Sequence, residues 1–457
     1  MDSRHPNLRL ARWGMCLAAG SALLATALAV QDEQAPAPPN VILLNVDDLG
    51  WRGVGAYGAK FVDTPNIDRL AADGVLFTDA YAGAPNCSPS RASLLTGLYP
   101  TRHGITHVLP HKKPDGLAPT TPMVAPDYAP GLETDFTTMA EVFQSQGYST
   151  AIIGKWHLGG RKYSPQQHGF ELSIGGGNSH KRLYPPYLKM EGDGGLEGEP
   201  EEHITECLLR HSLKYVDEHR DGPFFLYVPF YSIHDPVGGT EALEAKYTRR
   251  FGSDRVRIKY AAMTEGIDQY VGALMAKLEA TGLDQRTIVV FTSDNGGFAQ
   301  IPLRRGKGFL YEGGIRVPLI IHGPDIAAGR EVSAPVSHVD LAPTLLALAG
   351  LDAPVTDGLD LQPLFTDEGS LPERSIFWHY PHYSLSGGSP CSAIRQGDFK
   401  LIHWYETDAI ELYDLGSDRG EKANLAERDA ERAKRMRTVL DDWLEESGAL
   451  FPVRQEG

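Results

Sequence analysis

Four apolar runs in this chain each stop at residues with chemistry to offer. Residues 40–46 stop at Asp47-Asp48, and residues 150–153 give way to Gly154-Lys155-Trp156-His157. Residues 224–230 pass through Tyr231-Ser232-Ile233 to His234, and residues 287–291 run on to Ser293-Asp294-Asn295. The aspartates and the asparagine form an all-oxygen donor set, which suits a hard cation such as Ca²⁺ or Mg²⁺ better than zinc. Lysine and histidine are groups that hold an anion and move protons. Singly, each residue has a plainer reading: an Asp after a strand can cap a helix, and a lone His is more often a structural hydrogen-bonder. Their common position is the argument. In open α/β sheets, ligands bind outside the carboxyl ends of the strands, so one crevice would collect them all.

A second group centres on Cys87-Ser88-Pro89-Ser90-Arg91, between a Gly/Pro loop and a stretch at 92–98 that reads as amphipathic. Pro89 suits the first turn of a helix, where its missing N–H costs nothing. Cys87 is therefore expected at a helix N-terminus, where the dipole favours an anion and lowers a thiol pKa. Spacing leaves three readings open: a reactive Cys, half of a disulfide, or a buried apolar Cys.

The elements that must position these groups follow from the pattern between them. The apolar runs, with another at 317–321, suit strands buried on both faces. Helical periodicity appears between them at 67–72, 139–146, 204–219, 258–278 and 341–349. This alternation predicts an α/β fold, a large doubly wound and mostly parallel sheet with helices on both faces. From about residue 372 the pattern changes to short strands at 375–379 and 400–405 and a polar helix at 423–446. The expected organisation is a catalytic domain over 40–371 and a smaller C-terminal α+β domain over 372–457. Long loops are expected at 104–136 and 184–200, and there is no internal repeat.

Residues 1–29 read as an export signal. Arg4, Arg9 and Arg12 precede an uncharged apolar stretch, and Ala27 and Ala29 give a small-residue cleavage site. Residues 30–39 form a Pro-rich linker. The chain is then expected to be exported, periplasmic or secreted, without stable membrane insertion. Across 457 residues, 59 acidic side chains outweigh 43 basic ones. Without residues 1–29 the balance is 58 acidic against 40 basic, a charge of −18. That argues against nucleic acid as a partner but leaves room for a small anion in a locally positive pocket.

Cys87-Ser88-Pro89-Ser90-Arg91 resembles the signature of the type I sulfatases, members of the alkaline-phosphatase-like superfamily. Asn45-Val46-Asp47-Asp48-Leu49-Gly50, Gly154-Lys155-Trp156-His157-Leu158-Gly159 and Ser293-Asp294-Asn295-Gly296-Gly297 are similar to further blocks of that family. So are Arg305-Gly306-Lys307, residues 311–318, 394–401 and 411–415, and the resemblance spans about residues 40–425. It implies a doubly wound core and a sulfuric ester hydrolase. It implies that a formylglycine-generating or sulfatase-maturating enzyme oxidises Cys87 to Cα-formylglycine, whose hydrate attacks sulfur. Asp47, Asp48, Asp294, Asn295 and the modified Cys87 would bind one divalent ion, Ca²⁺ in preference to Mg²⁺. Lys155 and Lys307 would hold the sulfate oxygens, and Arg91 the nucleophile. His234 would protonate the leaving alcohol, and His157 would take the proton whose loss expels sulfate. The expected substrate is a sulfated saccharide or another sulfate ester. The alternatives are a phosphonate or phosphodiester hydrolase of the same superfamily and a non-catalytic glycan-binding protein.

Other residues carry two readings each. Cys207 and Cys391 could pair or stay separate. His180, Lys181 and Arg182 could meet an anionic sugar or simply be solvated. Trp378, His379, Tyr380, His382 and Tyr383 could stack on a saccharide or pack the small domain.

Overall fold

The computed structural model describes residues 37–110, 121–177, 182–187, 195–297, 303–366 and 368–455. Residues 1–29, read above as an export signal, and His180 and Lys181 lie outside them. Strand β1 (Asn40–Val46) is buried throughout, and its side chains alternate between two cores. It lies between β7 (Phe224–Pro229) and β8 (Thr287–Ser293), parallel to both. Beyond β7 come β5 (Ser149–Gly154) and β6 (Leu172–Gly175). Beyond β8 come β9 (Leu319–His322), β2 (Val75–Phe77) and β10 (Arg330–Val332), completing an eight-stranded sheet. Only β9 runs against the others. Short pairs add to this: β3 (Ala80–Tyr81) with β11 (Val336–Ser337), and β4 (Met123–Val124) with β16 (Val453–Arg454).

Helices cover both faces, as continuous apolar strands require. On one side Val41, Leu43, Ile152, Phe225 and Val290 pack against α2 (Cys87–Thr96), α4 (Met139–Ser145) and α9 (Leu341–Leu348). On the other, Ile42, Leu44, Ile153, Leu226 and Phe291 meet α1 (Pro65–Ala72), α5 (Ile204–Glu218) and α7 (Arg255–Thr281). The short α3 (Pro100–His103) follows α2, and α6 (Glu241–Phe251) packs on α7. No helix among the described residues is long and apolar enough to cross a membrane.

The C-terminal part is an antiparallel sheet of β12 (Ser375–Tyr380), β13 (Cys391–Gln396), β14 (Phe399–Trp404) and β15 (Ala409–Asp414), in that order. Its one face meets Met436, Leu440 and Trp443 of α10 (Ala430–Glu446). Its other face shares a core with Tyr81 and with Ile315 of α8 (Glu312–Ile315). Helix α10 starts seven residues later than its polar pattern suggests, because Asn424 and Asp429 intervene. The Asn424 side chain accepts from the Leu412 and Ala426 amides, holding a turn, and Asp429 caps the helix by accepting from the Arg432 amide.

Candidate active site

The strand ends that the sequence singles out are brought together. Past β1 the ladder continues, with the Asp47 amide donating to Ser232 O at 2.9 Å and the Asp294 amide to Val46 O at 3.0 Å. The Lys155 amide donates to Pro229 O at 2.7 Å. These bonds set the side chains that follow β1, β5, β7 and β8 around one crevice. Gly154 precedes Lys155 with φ 137°, and a Cβ there would lie 2.0 Å from Pro229 O, so only glycine fits. Asp48 takes φ 63° and His157 φ 62°, an uncommon region for side-chain-bearing residues. Asp48 is held there by its own amide donating to Asp294 Oδ1 at 3.1 Å and by the Leu49 amide donating to Ser293 Oγ at 2.9 Å.

Cys87 is the first residue of α2, and all ten residues of that helix are buried. The stretch 92–98 is thus not an amphipathic face: α2 is enclosed between the sheet and its neighbours, which leaves it no solvent side. Cys87 Sγ lies 3.4 Å from Asp47 Oδ1 and 3.2 Å from Lys307 Nζ. Lys307 also donates to both Asp48 oxygens at 2.6 and 2.8 Å, and Lys155 Nζ to Asp47 Oδ2 at 2.5 Å. Arg91, one turn along α2, does not touch the sulfur. Its guanidinium binds Asp294 Oδ2 at 2.9 and 2.7 Å, approaches Asp47 Oδ1 at 3.6 Å and donates to Lys155 O at 3.1 Å. Arg91 therefore holds the carboxylates around the nucleophile position rather than the nucleophile itself.

The thiol does not follow the helix-dipole expectation. Burial pushes the Cys87 pKa up, Asp294 and Asp47 add to the rise, and Lys155 and Lys307 oppose it without prevailing. Burial would also raise Asp47, but Lys155, His234, Arg91 and Lys307 hold it well below the usual carboxylate range. Asp294 is pushed up to about 6 by burial and by Asp47 and Asp48, against the pull of Arg91 and Lys155.

The same residues fit a divalent cation. Ligand atoms of Asp47, Asp48, Cys87 and Asp294 all lie within 4.8 Å of one another, and all four residues are buried. Asn295 gives its amide nitrogen to Asp48 Oδ1 at 2.7 Å, which leaves Oδ1 buried with no hydrogen-bond partner. A buried carbonyl oxygen without a donor is costly unless something electropositive meets it. Oxygen donors of this kind select a hard cation.

His157 is fixed in one tautomer. Its Nε2 lies 2.6 Å from Leu109 O, a carbonyl that can only accept, so Nε2 carries the proton. Nδ1 is then a bare lone pair, buried and without a partner. Burial, Lys155 and Arg91 keep the ring neutral by lowering its pKa well below the ordinary value. His234 is half-buried at the rim, with Nδ1 2.9 Å from Asp235 O. Two supports escaped the sequence reading. Leu109 acts through its backbone, which no side-chain signal announces; its amide donates to Ser88 Oγ at 3.0 Å. His338 links α2 to β8: Thr292 Oγ1 donates to Pro318 O, so it accepts from His338 Nε2 at 3.3 Å, and Nδ1 accepts from Ser90 Oγ at 3.0 Å. A lone His before α9 carries no pattern by which to find it.

The remaining candidates resolve plainly. Cys207 and Cys391 are free and buried, not paired. Trp378, His379, Tyr380 and His382 are buried in or beside the small sheet, so they pack rather than stack on a ligand. Tyr383 is half-buried and bonds Glu406. Arg182 is exposed, with NH1 3.5 Å from Pro186 O. Of the two long loops, the described part of the first reaches the site through Leu109. In the second loop, Tyr184 donates to Gly239 O at 3.2 Å.

Comparison with known proteins agrees with this geometry. The family description Sulfatase matches residues 39–351, and N-sulphoglucosamine sulphohydrolase, C-terminal, matches residues 305–447. The chain is 34% identical to the N-acetylgalactosamine-6-sulfatase of Mus musculus, over 88% of this chain and 79% of that one. It is 32% identical to a sulfatase of Formosa agariphila, over 94% and 92%. The solved structure of Ps i-CgsB in complex with k-i-k-neocarrahexaose superposes with a TM-score of 0.77 at 30% identity, covering 91% of this chain and 95% of the other.

Proposed function

This chain belongs to the sulfatase family and is a sulfatase, and from that premise we propose that it removes sulfate from a sulfated saccharide, using a nucleophile derived from Cys87 and one Ca²⁺. The observation that carries the reading is the convergence at Cys87 Sγ of Asp47 Oδ1 and Lys307 Nζ, inside a cage that includes the unpartnered Asn295 Oδ1. Asp47, Asp48, Asp294 and Asn295 would hold the cation. A hydrated aldehyde at residue 87 would supply two hydroxyls, and a bound divalent cation would lower the pKa of one of them toward neutrality.

The other steps belong to the chain's own side chains. Lys155 and Lys307 present cations to the sulfate oxygens, and Arg91 keeps Asp47 and Asp294 in place. His234, at the rim, gives a proton to the leaving sugar oxygen. His157 takes a proton at Nδ1, the lone pair that its bond to Leu109 O leaves free. The saccharide preference rests on the k-i-k-neocarrahexaose named with Ps i-CgsB.

Peptide mass analysis of enzyme made beside a maturating enzyme tests the reading. The Cys87 peptide should be about 18 Da lighter than the thiol form. That preparation should hydrolyse sulfate esters faster than phosphate monoesters, phosphodiesters or phosphonates. An unmodified Cys87 in an active enzyme would overturn it, as would a preference for phosphorus. We also propose export directed by residues 1–29; activity confined to the cytoplasm of the native cell would refute it.

A further inference from the structure

Apart from the crevice, a second group of buried charges among the described residues joins the C-terminal sheet to α8. Lys400 Nζ, on β14, donates to Glu312 Oε1 at 3.0 Å and to Glu421 Oε1 at 2.9 Å, and all three side chains are fully buried. Glu421 Oε2 accepts the Glu312 amide at 2.7 Å. Glu312 Oε2 is held by Arg316 NH1 at 3.0 Å and by the Tyr81 hydroxyl at 2.8 Å. Arg395 of β13 and Arg316 share Asp79. Two residues of the small sheet and one from the loop after it thus fix α8 at its first residue, Glu312, and at Arg316, which follows its last.

What that turn touches gives the network its meaning. Gly296 donates its amide to Gly314 O at 2.9 Å, and a Cβ on Gly296 would lie 1.9 Å from Gly313 O. Gly313 donates to Arg304 O at 3.1 Å, and a Cβ there would lie 2.3 Å from Arg305 O. A Cβ on Gly314 would lie 2.5 Å from Gly306 O. Three backbones are in contact here without side chains between them: one follows Asn295, one precedes Lys307, and the third is α8. No compliant layer separates them, so a shift of α8 moves Asn295 and Lys307 with it.

We propose that Lys400 is a positioning residue for the active site: through Glu312 and Glu421 it sets α8, and α8 sets Asn295 and Lys307. The C-terminal sheet is then part of the catalytic apparatus without touching substrate. The electrostatics agree. Burial would raise Glu312, but Lys400, Arg316 and Arg395 lower it to about 2, so it stays an anion for Lys400 to hold. Burial and Glu312 push Glu421 up to about 7 against the pull of Lys400, so loss of Lys400 leaves the Glu312 anion facing Glu421 without their shared cation.

This inference rests on the proposed cation and sulfatase site, and the experiment separates the two. Lys400→Met and the charge-balanced Lys400→Met/Glu421→Gln are compared with wild type by near-UV circular dichroism, Ca²⁺ calorimetry on chelator-treated protein, and kcat and KM on one aryl sulfate. Folded variants should lose about tenfold or more in Ca²⁺ affinity and in kcat, with KM changed less than twofold. Folded variants that match wild type in both overturn the assignment. Failure of both variants to fold also overturns it, because the network would then serve the fold alone. If wild type itself neither binds a divalent ion nor cleaves a sulfate ester, the site reading fails first.

Discussion

His234 is the residue whose role is easiest to isolate, because it sits at the rim and outside the cation cage. A proton donor matters in proportion to how poor the leaving group is. His234→Ala should therefore cost about 10²–10⁴-fold in kcat on a sugar sulfate. A nitrophenyl sulfate, whose phenolate leaves unaided, should lose far less; equal losses on the two would remove the proton-donor role. Asn295→Ala deletes the unpartnered Oδ1 together with the bond to Asp48. Calorimetry should show about tenfold to 100-fold weaker Ca²⁺ binding, whereas unchanged affinity would place the cation elsewhere. Side chains such as Asp47, Lys155 and Asp294 were legible because they stand at the ends of apolar runs. Leu109 was not, since a carbonyl has no residue type. The thiol pKa of Cys87 was misread for a related reason: its local signal was a helix N-terminus, while burial and two carboxylates distant in sequence, Asp47 and Asp294, push it the other way.

At the scale of elements, the long buried strands β1, β5, β7 and β8 and the helices α1, α4, α5, α7 and α9 were visible through hydrophobic runs and periodicity, whereas the eleven-residue α6 was not. The three- and four-residue strands β2, β6 and β10 were not, being too short to display a period. Strand β9 was found, but not its reversed direction, because strand direction is a property of connections rather than of composition. The small domain showed two of its four strands by pattern; β13 and β15 were marked only by family resemblance. The glycine contacts around α8 yield a prediction of their own. Gly296→Ala places a methyl 1.9 Å from Gly313 O, and should cost about 1–3 kcal/mol of stability along with Ca²⁺ affinity. Denaturant unfolding with a wild-type midpoint would show that these backbones part easily, and would weaken the coupling proposed through them.

Across the whole molecule, buried neutral histidines shape the response to acid. His379 gives Nε2–H to Leu450 O and accepts at Nδ1 from Ser392, and burial lowers its pKa from 6.5 to about 4. The folded ring refuses a proton that the unfolded chain takes up below pH 6.5, so stability falls as pH drops from there towards 4. At pH 5 this one group accounts for about 2 kcal/mol. His379→Gln should thus lose less melting temperature between pH 7.5 and 5 than wild type, and parallel losses would contradict the linkage. The charge of −16 acts over longer range. Long, densely sulfated chains should be cleaved faster as salt is added, while a monosaccharide sulfate should show little change.

The position of β1 also has a consequence in time. It is made early, yet its partners β7 and β8 begin 184 and 247 residues after Asn40 and become available only when about half and about two-thirds of the chain have been made. Until Ser293 has emerged from the ribosome the central sheet cannot close, and α2 has no floor to pack on. Cys87 is 1% exposed in the finished fold. Any enzyme that oxidises it must act within that interval, so anything that hastens folding of the nascent chain, or delays the modifying enzyme, should leave more of the product as unconverted thiol.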